Sequence, residues 1–313
     1  MAKEPRILYG KVAAITGGAR GIGLATAQAF AREGIKVAIG DLDGEQSQQV
    51  AEQIGGGARG YQLDVTSRES FQAFVDAVER DLGPIDILVN NAGIMHVGNF
   101  HEEDDLWAIR QVDINLHGVI LGTKIALATM RPRRTGHIVN VASSAGKTPV
   151  PGGATYVATK HAVVGLTESV RMENADVGID FSIVMPGVVN TDLAGGLKPA
   201  RGVKNSEPHE VADQIVQALR FPKVDVFVPP SIGPINKVTA LLPRRAAEGI
   251  GKAMKVDKVL WDADAQKRAQ YEDRAAHSDP KLDEPAALPP APDPLETSAA
   301  AEQVAAAAEP DTA

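Results

Sequence analysis

The chain reads Thr16-Gly17-Gly18-Ala19-Arg20-Gly21-Ile22-Gly23 between an apolar run, residues 11–17, and an amphipathic run, residues 24–34. This order predicts a strand, a tight glycine turn and a helix. Glycine lets the backbone approach a phosphate closely, and the peptide dipoles and unpaired N–H groups at the start of the helix favour negative charge. The stretch therefore predicts a dinucleotide-binding turn where the first strand meets the first helix.

The alternation of short apolar runs and longer amphipathic runs continues to about residue 230. Short apolar runs bounded by turn residues are typical of the buried strands of a parallel sheet. Seven such runs predict strands at residues 11–17, 36–41, 60–65, 85–93, 137–143, 181–187 and 225–230. The chain is therefore expected to form an α/β fold, a doubly wound parallel seven-stranded sheet with helices on both faces. Its ligand crevice should lie beyond the carboxyl ends of the strands.

The composition changes in two steps after this region. After residue 230, prolines interrupt a series of helical patterns that reaches residue 277. Residues 278–313 then hold eight acidic residues, one lysine and seven of the 20 prolines. This second part has few apolar side chains with which to build a core. We therefore predict an N-terminal extension (1–9), a dinucleotide-binding catalytic domain (10–232), a C-terminal helical extension (233–277) and a disordered acidic tail (278–313).

Composition excludes several classes of protein. The 313 residues include no cysteine, which rules out disulfides, thiolate zinc sites, iron–sulfur clusters and a cysteine nucleophile, and favours a cytoplasmic location. No apolar run reaches the roughly 18 residues of a membrane span, and no signal peptide is expected. Because the tail carries most of the net charge of −8, the body offers no basic surface for nucleic acid. The seven histidines are scattered, so no metal site is expected.

The predicted second strand ends in Asp41, eighteen positions beyond Gly23. A carboxylate there accepts hydrogen bonds from the ribose hydroxyls of an adenosine and repels a 2′-phosphate. Asp41 therefore favours NAD over NADP. Arg20 lies within the glycine turn and supports the alternative, because its guanidinium is able to reach a 2′-phosphate.

Tyr156 and Lys160 lie four positions apart in a predicted helix, so both side chains can act on one ligand. A tyrosine with the ordinary pKa of about 10 is a weak base at neutral pH, but a neighbouring ammonium group favours the phenolate and lowers that pKa. Ser143, with Ser144 as the alternative, ends the predicted fifth strand, and its hydroxyl can donate to a carbonyl oxygen. The three side chains together predict proton transfer to and from an alcohol.

These residues, and others in the same order and spacing, resemble the short-chain dehydrogenase/reductase family over residues 11–230. The matching motifs are TGGARGIG at 16–23, Asp41, Asp64-Val65, Asn90-Asn91-Ala92-Gly93, Asn115, Ser143, YVATK at 156–160, Pro186-Gly187, Val189 and Thr191. The resemblance implies a Rossmann fold and an oxidoreductase that transfers a hydride between a nicotinamide cofactor and an alcohol or ketone.

The resemblance also implies a role for each catalytic candidate. Tyr156 would act as the general acid/base. Lys160 would lower the pKa of that tyrosine and bind the nicotinamide ribose. Ser143 would orient the substrate oxygen, and Asn115 would hold a water molecule in a proton relay that runs through Lys160.

The implied cofactor site draws on several loops. Asp64 and Val65 would contact the adenine, Asn91 the adenosine-side ribose, and Val189 and Thr191 the nicotinamide amide. The full set implied for the cofactor is Gly17, Arg20, Gly21, Ile22, Gly23, Asp41, Asp64, Val65, Asn91, Ala92, Gly93, Tyr156, Lys160, Pro186, Gly187, Val189 and Thr191.

The substrate side is expected to be apolar. Residues 192–205 are rich in glycine and occupy the place of the family's mobile substrate lid, and residues 94–96 and 150–153 are expected to line the pocket. Their small and apolar side chains favour a hydrophobic secondary alcohol or ketone. Apolar residues on more than one face of 106–130 and 155–175 predict a homodimer or homotetramer, as the family pairs these helices between subunits.

Several alternatives remain open on the sequence alone. An NADPH-dependent reductase of a 3-oxoacyl thioester fits if Arg20 outweighs Asp41. A non-catalytic dinucleotide-sensing protein is the alternative from another class, although the intact catalytic candidates argue against it. The apolar and basic stretch ALLPRRAAEGIGKAM, residues 240–254, fits either interfacial contact with a membrane or a helix packed over the substrate cleft.

Overall fold

The structure, a computed structural model, describes residues 4–276. Seven parallel strands form one sheet in the order β3-β2-β1-β4-β5-β6-β7. The strands are β1 (Val12–Thr16), β2 (Lys36–Asp41), β3 (Arg59–Gln62), β4 (Ile87–Asn90), β5 (Gly136–Val141), β6 (Ile179–Pro186) and β7 (Asp225–Val228). The predicted doubly wound α/β fold with a seven-stranded sheet is therefore confirmed.

A helix lies between every two consecutive strands, as parallel pairing requires a crossover connection. The helices are α1 (Gly21–Arg32), α2 (Gly44–Ile54), α3 (Arg68–Leu82), α4 (Asp105–Val112), α5 (Gly118–Arg133), α6 (Ala154–Glu173), α7 (Pro208–Arg220), α8 (Ile232–Leu241), α9 (Arg244–Ala253) and α10 (Ala265–Ala276). Local sequence sets such bounds. At α3, the side chain of Ser67 accepts a hydrogen bond from the N–H of Ser70 at the start, and Gly83 ends the helix.

Apolar side chains of the helices pack against both faces of the sheet. On one face, Phe30 of α1 and Ile215 of α7 pack with Ile39 of β2. On the other face, Phe74 of α3 and Met130 of α5 belong to a second cluster. Each of these five side chains is at most 2% exposed, and burying one such side chain stabilises the fold by roughly 1.5–3 kcal/mol. The sheet is therefore a rigid support for the loops at its carboxyl edge.

The direction of winding reverses at β1, which pairs with β2 on one side and with β4 on the other. A crevice opens at the carboxyl ends of the strands at such a point. Several strands are shorter than predicted, since they end at Gln62, Asn90 and Val141. The predicted site residues that follow these three positions lie in loops at the carboxyl edge of the sheet.

The described residues before and after the sheet belong to the same compact unit as its strands. Leu8 of the predicted N-terminal extension is buried, and helices α8 to α10 belong to the same compact unit as the strands. The helical extension expected after residue 232 is thus present as three helices. The tail predicted at 278–313 lies outside the described residues.

Residues 4–276 contain neither a candidate membrane span nor a candidate metal site. No helix in this part of the chain is both long enough and apolar enough to cross a membrane. Within the same range, no three His, Asp or Glu side chains are grouped so as to hold a metal ion.

Candidate active site

The glycine turn lies at the carboxyl end of β1, where the backbone is closely packed. Gly17 adopts φ of +61°, a region that favours glycine, and a Cβ atom there would lie 2.8 Å from the Cα atom of Ala92. A Cβ atom on Gly23 would overlap the carbonyl oxygen of Gly17. Only glycine fits at these two positions, so the turn has the shape that the sequence predicts.

The start of α1 is open to an anion. Its first turn contains no acidic residue, and the N-cap residue Arg20 makes no capping hydrogen bond with its side chain. The N–H groups of this turn and the helix dipole therefore favour a negatively charged group such as a phosphate. Thr191 approaches the turn from the loop after β6, since a Cβ atom on Gly21 would lie 3.4 Å from its Cγ2 atom. These residues fit a dinucleotide cofactor, and the predicted partners from both loops lie together.

Asn91 holds the turn in place from the loop that follows the neighbouring strand β4. Its side-chain amide donates hydrogen bonds to the carbonyl oxygens of Thr16 at 3.0 Å and Gly17 at 2.9 Å. The hydroxyl of Thr16 in turn accepts hydrogen bonds from the backbone N–H groups of Asn91 and Ala92, both at 3.0 Å. Asn91 therefore shapes the turn, and the ribose contact implied for it stays a prediction.

Asp41 lies at the end of β2, beside the glycine turn. Its Oδ2 atom accepts a hydrogen bond from the backbone N–H of Ala19 at 3.2 Å. The guanidinium of Arg20 instead donates to the side-chain oxygen of Gln46 on α2, at 2.8 Å. The carboxylate thus lies at the turn, and the arginine is held by a neutral partner.

The other residues implied for the cofactor line the same edge of the sheet. Asp64 follows β3 and accepts hydrogen bonds from the N–H (2.8 Å) and hydroxyl (2.7 Å) of Thr66. Val65 and Val189 are buried, and the N–H of Gly187 donates to the carbonyl of Val228 at 2.8 Å. These contacts are made within the protein. Contact with the cofactor stays a prediction for Asp64, Val65, Pro186, Gly187 and Val189.

Tyr156 and Lys160 lie in the first two turns of α6, and both are buried. Burial raises the pKa of Tyr156 to about 12, and a hydrogen bond with Ser143 acts in the opposite direction. Ser143 also caps a short turn after β5, where its Oγ atom accepts from the N–H of Ala145 at 3.1 Å. The sequence predicted a lowered pKa for Tyr156, but burial, which raises this pKa, has the largest effect.

Lys160 reaches the carboxyl edge of the sheet from α6. Its ammonium group lies 5.7 Å from the centroid of the Tyr156 ring and donates to the carbonyl oxygen of Val141 at 3.0 Å. Burial lowers the pKa of Lys160 to about 8. A Cβ atom on Gly93 would lie 3.5 Å from the Nζ atom of Lys160 and 3.1 Å from Oδ1 of Asn115, so the three residues are adjacent.

Asn115 lies in a π-helical turn, Asp113–His117, between α4 and α5. Such turns are rare and are frequent at functional sites. The side chain of Asn115 is fully buried, donates to the carbonyl oxygen of Ile94 and accepts from its N–H, both at 2.8 Å, and donates to Thr159 at 3.2 Å. Asn115 thereby joins the loop after β4 to α6, and a bound water stays a prediction.

The sequence did not single out the C-terminal residues at the site. Leu260 belongs to an apolar cluster with Tyr156 and Met95, and the hydroxyl of Tyr271 accepts a hydrogen bond from the N–H of Met95 at 2.8 Å. Tyr271 also contributes to the raised pKa of Tyr156. The only sequence signal was the helical spacing of Arg268 and Tyr271 in a polar segment, which many surface helices share.

Comparison with known proteins identifies relatives of this chain. The sequence model of the short chain dehydrogenase family matches residues 11–202. A 3-alpha-(or 20-beta)-hydroxysteroid dehydrogenase of Mycobacterium tuberculosis is 36% identical over 214 residues, which make up 67% of this chain and 82% of that protein. A 2,5-dichloro-2,5-cyclohexadiene-1,4-diol dehydrogenase of Sphingobium indicum is 38% identical over 195 residues, 61% of this chain and 78% of that protein.

Comparison with solved structures points to the same family as the sequence relatives do. A short chain dehydrogenase/reductase from Burkholderia phymatum, crystallised in complex with NAD, has a TM-score of 0.69 to this chain at 27% identity, over 75% of this chain and 94% of that one. The glycine turn and the buried Tyr156 and Lys160 all lie within the residues that the family model matches. The chain belongs to the short-chain dehydrogenase/reductase family and is an NAD(P)-dependent oxidoreductase with a Rossmann fold.

Proposed function

We propose that this protein oxidises a hydrophobic secondary alcohol, or reduces the corresponding ketone, with NAD as cofactor and Tyr156 as the general acid/base. One observation carries the proposal. Tyr156, beside Ser143 and Lys160, is buried at the same sheet edge as a glycine turn shaped for phosphate. Proton transfer and dinucleotide binding are thereby brought together.

The chain's own residues move the proton. In oxidation Tyr156 removes the hydroxyl proton of the alcohol, and in reduction it returns a proton to the carbonyl oxygen. Ser143 orients that oxygen through its hydroxyl group. When bound, the nicotinamide ring supplies the hydride chemistry. Burial raises the pKa of Tyr156 to about 12 even with Lys160 close by, so the positive charge that a bound, oxidised nicotinamide would supply is needed to bring that pKa down.

Lys160 and Asn115 support this step. The lysine binds the nicotinamide ribose and, through a water molecule held at the π-helical turn near Asn115, connects Tyr156 to solvent. The support for this role is the adjacency of the Lys160 ammonium, Gly93 and the Asn115 side chain. A lysine with a pKa of about 8 is able to accept and release a proton near neutral pH.

We propose NAD rather than NADP as the cofactor. Asp41 places its carboxylate against the N–H of Ala19 in the glycine turn, where a 2′-phosphate would meet negative charge. Arg20, the residue that would favour NADP, is bound to Gln46.

The substrate class follows from the apolar surroundings of Tyr156. Met95, Ala145 and Leu260 are buried with it, and partly buried apolar side chains pack around this cluster. The two relatives act on a steroid and on a chlorinated cyclohexadiene diol, by their names. These features support a bulky, hydrophobic secondary alcohol or ketone.

The test is a panel of secondary alcohols, from propan-2-ol to cyclohexanols and hydroxysteroids, offered with NAD or NADP and followed by the absorbance of the reduced nicotinamide. We expect NAD-dependent oxidation that favours the larger apolar alcohols. Tyr156→Phe is the control, because any background oxidation will survive it. Turnover of 3-oxoacyl thioesters with NADPH, or no turnover of any substrate, would contradict the proposal.

We further propose that the protein is a homodimer or homotetramer. Leu106, Ile109 and Val112 lie on α4 at intervals of three residues and are 41–53% exposed, an apolar surface that subunit pairing would cover. Light scattering at micromolar concentration should return a multiple of the 32.9 kDa chain mass. A monomer mass would contradict this. The cytoplasmic location expected from the sequence stays a prediction.

A further inference from the structure

A second part of the chain lies against the predicted substrate lid. Residues 192–201 of the lid are hydrogen bonded at several points to residues 254–276. The backbone pairs are the N–H of Arg201 with the carbonyl of Met254 (2.6 Å) and the N–H of Asp264 with the carbonyl of Gly196 (3.0 Å). We call the two segments together the cover. Residues 254–276 lie beyond the part of the chain that the family model matches.

Arg268 joins the two segments of the cover to the loop after β4. Its side chain is 2% exposed, and its guanidinium donates to the carbonyl oxygens of Leu193 (3.0 Å), Gly195 (3.4 Å) and Met95 (2.8 Å). Its Nε atom donates to Glu272 at 3.0 Å, which offsets the charge. A buried charge is costly unless its donors are satisfied. The planar guanidinium meets that condition here by binding three carbonyl groups and Glu272 from three separate nitrogen atoms, whereas the donors of a lysine all lie on one atom.

Met95 is the point at which the cover reaches the catalytic tyrosine. Both of its backbone polar groups bind α10, the carbonyl to Arg268 and the N–H to Tyr271. Its side chain is buried in the cluster that contains Tyr156 and Leu260. A displacement of α10 therefore moves the apolar wall beside Tyr156.

We propose that Arg268 is a positioning residue for the substrate, because it holds the lid, the loop after β4 and α10 in the single arrangement that forms the apolar wall beside Tyr156. The inference rests on the proposed function. The glycine turn is held by other contacts, those of Asn91 and Thr16, so substrate and cofactor affinity should respond separately.

Arg268→Met tests this, because methionine keeps much of the apolar stem and removes every donor. We expect KM for the best alcohol to rise at least tenfold, with kcat changing less than KM and the dissociation constant for NAD staying within twofold. Arg268→Lys should give a KM between those of the wild type and Arg268→Met, since a single nitrogen atom cannot satisfy all four acceptors that the guanidinium binds. The matched control is Arg274→Ala on the same helix, which breaks only an exposed pair with Asp192 and should leave KM within about twofold.

Hydrogen–deuterium exchange of the full chain supplies a measurement that needs no turnover. In the wild type, residues 192–201 and 254–276 should be protected from exchange to a similar degree. Arg268→Met should raise the exchange rate in both segments and leave the exchange rate of residues 12–41 unchanged. If Arg268→Met does not fold, Tyr271→Phe, which removes the acceptor for the Met95 N–H, should raise exchange at Met95 and raise KM several-fold.

The outcomes separate the two proposals. The role of Arg268 is overturned if the wild type oxidises alcohols and Arg268→Met keeps the wild-type KM. It is also overturned if the affinity of the variant for NAD falls by the same factor as its KM for the alcohol rises. Independent exchange of the two segments also overturns it. If the wild type oxidises no alcohol while the segments exchange together and depend on Arg268, the proposed function fails and the cover stands.

Discussion

The cofactor region and the cover are built in different ways. In the cofactor region, residues 12–93, the shape comes from glycines with no room for a side chain and from hydrogen bonds between neighbouring loops. In the cover, residues 192–201 and 254–276, the shape comes from one buried arginine and from contacts between distant parts of the chain. The first construction depends on local sequence and the second on long-range packing, so mutations in the two should have separable effects.

Tyr156→Phe should produce the largest effect and should leave the cofactor region untouched. It removes one hydroxyl and keeps the ring, so NAD affinity should stay within about twofold. Turnover should fall by at least a hundredfold, because a positioned acid/base group contributes roughly 10²–10⁴-fold.

Lys160→Ala should instead weaken NAD binding and turnover together, with residual activity shifted to higher pH. Steady-state rates from pH 6 to 10 and NAD titrations check both variants, and more than a tenth of wild-type turnover in Tyr156→Phe would contradict the proton-transfer role.

Gly23→Ala should weaken cofactor binding and leave the cover unchanged. The added methyl group would overlap the carbonyl oxygen of Gly17, so the backbone must shift, at a cost of about 1–3 kcal/mol. NAD affinity should fall on the order of tenfold to a hundredfold, while hydrogen exchange of residues 254–276 stays unchanged. Gly249→Ala in α9, where a Cβ atom meets no neighbour within 4 Å, is the control and should change nothing measurable. Unchanged NAD titration of Gly23→Ala would refute the role given to this glycine.

His137 allows the pH dependence of stability to be separated from that of turnover. It lies at the amino end of β5, at the edge of the sheet opposite the catalytic groups, where burial lowers its pKa to about 4 against an opposing effect of Asp180. Below pH 6.5 the unfolded chain gains a proton that the folded chain does not, so stability falls as pH drops. From pH 8 to pH 5 this group should cost about 2 kcal/mol. Urea unfolding at both pH values should show that loss, and His137→Gln should show less of it. An equal loss in the variant would assign the effect to other groups.

Asp41→Ala should give the smallest effect and sharpen the description of the cofactor region. The wild type should bind NAD at least tenfold more tightly than NADP, a difference of about 1.4 kcal/mol, because the carboxylate repels a 2′-phosphate. Asp41→Ala should bring the ratio of the NAD and NADP affinities closer to one without changing KM for the alcohol. Titration with the two cofactors measures it, with Asp43→Ala at the start of α2 as the neighbouring control. Equal wild-type affinities would contradict the assignment of NAD.

Several features of this protein were predictable from short stretches of sequence. Alternating apolar and amphipathic runs predict the strands and helices because hydrophobic periodicity depends on near neighbours. The order of motifs from Gly17 to Thr191 indicates the family. Strand ends were less predictable. β3, β4 and β5 stop short of the predicted limits because hydrogen bonding to a neighbouring strand, and not the apolar run, decides where a strand ends.

Tertiary structure alone decided the environment of the catalytic groups and the substrate wall. Helical spacing placed Tyr156 and Lys160 on one face, but it did not reveal that burial moves their pKa values to about 12 and about 8. Nor did any local pattern connect Arg268 with Met95, which is 173 positions away. Desolvation and long-range hydrogen bonds depend on which segments meet in the folded chain, and that information does not lie in any single stretch of the sequence.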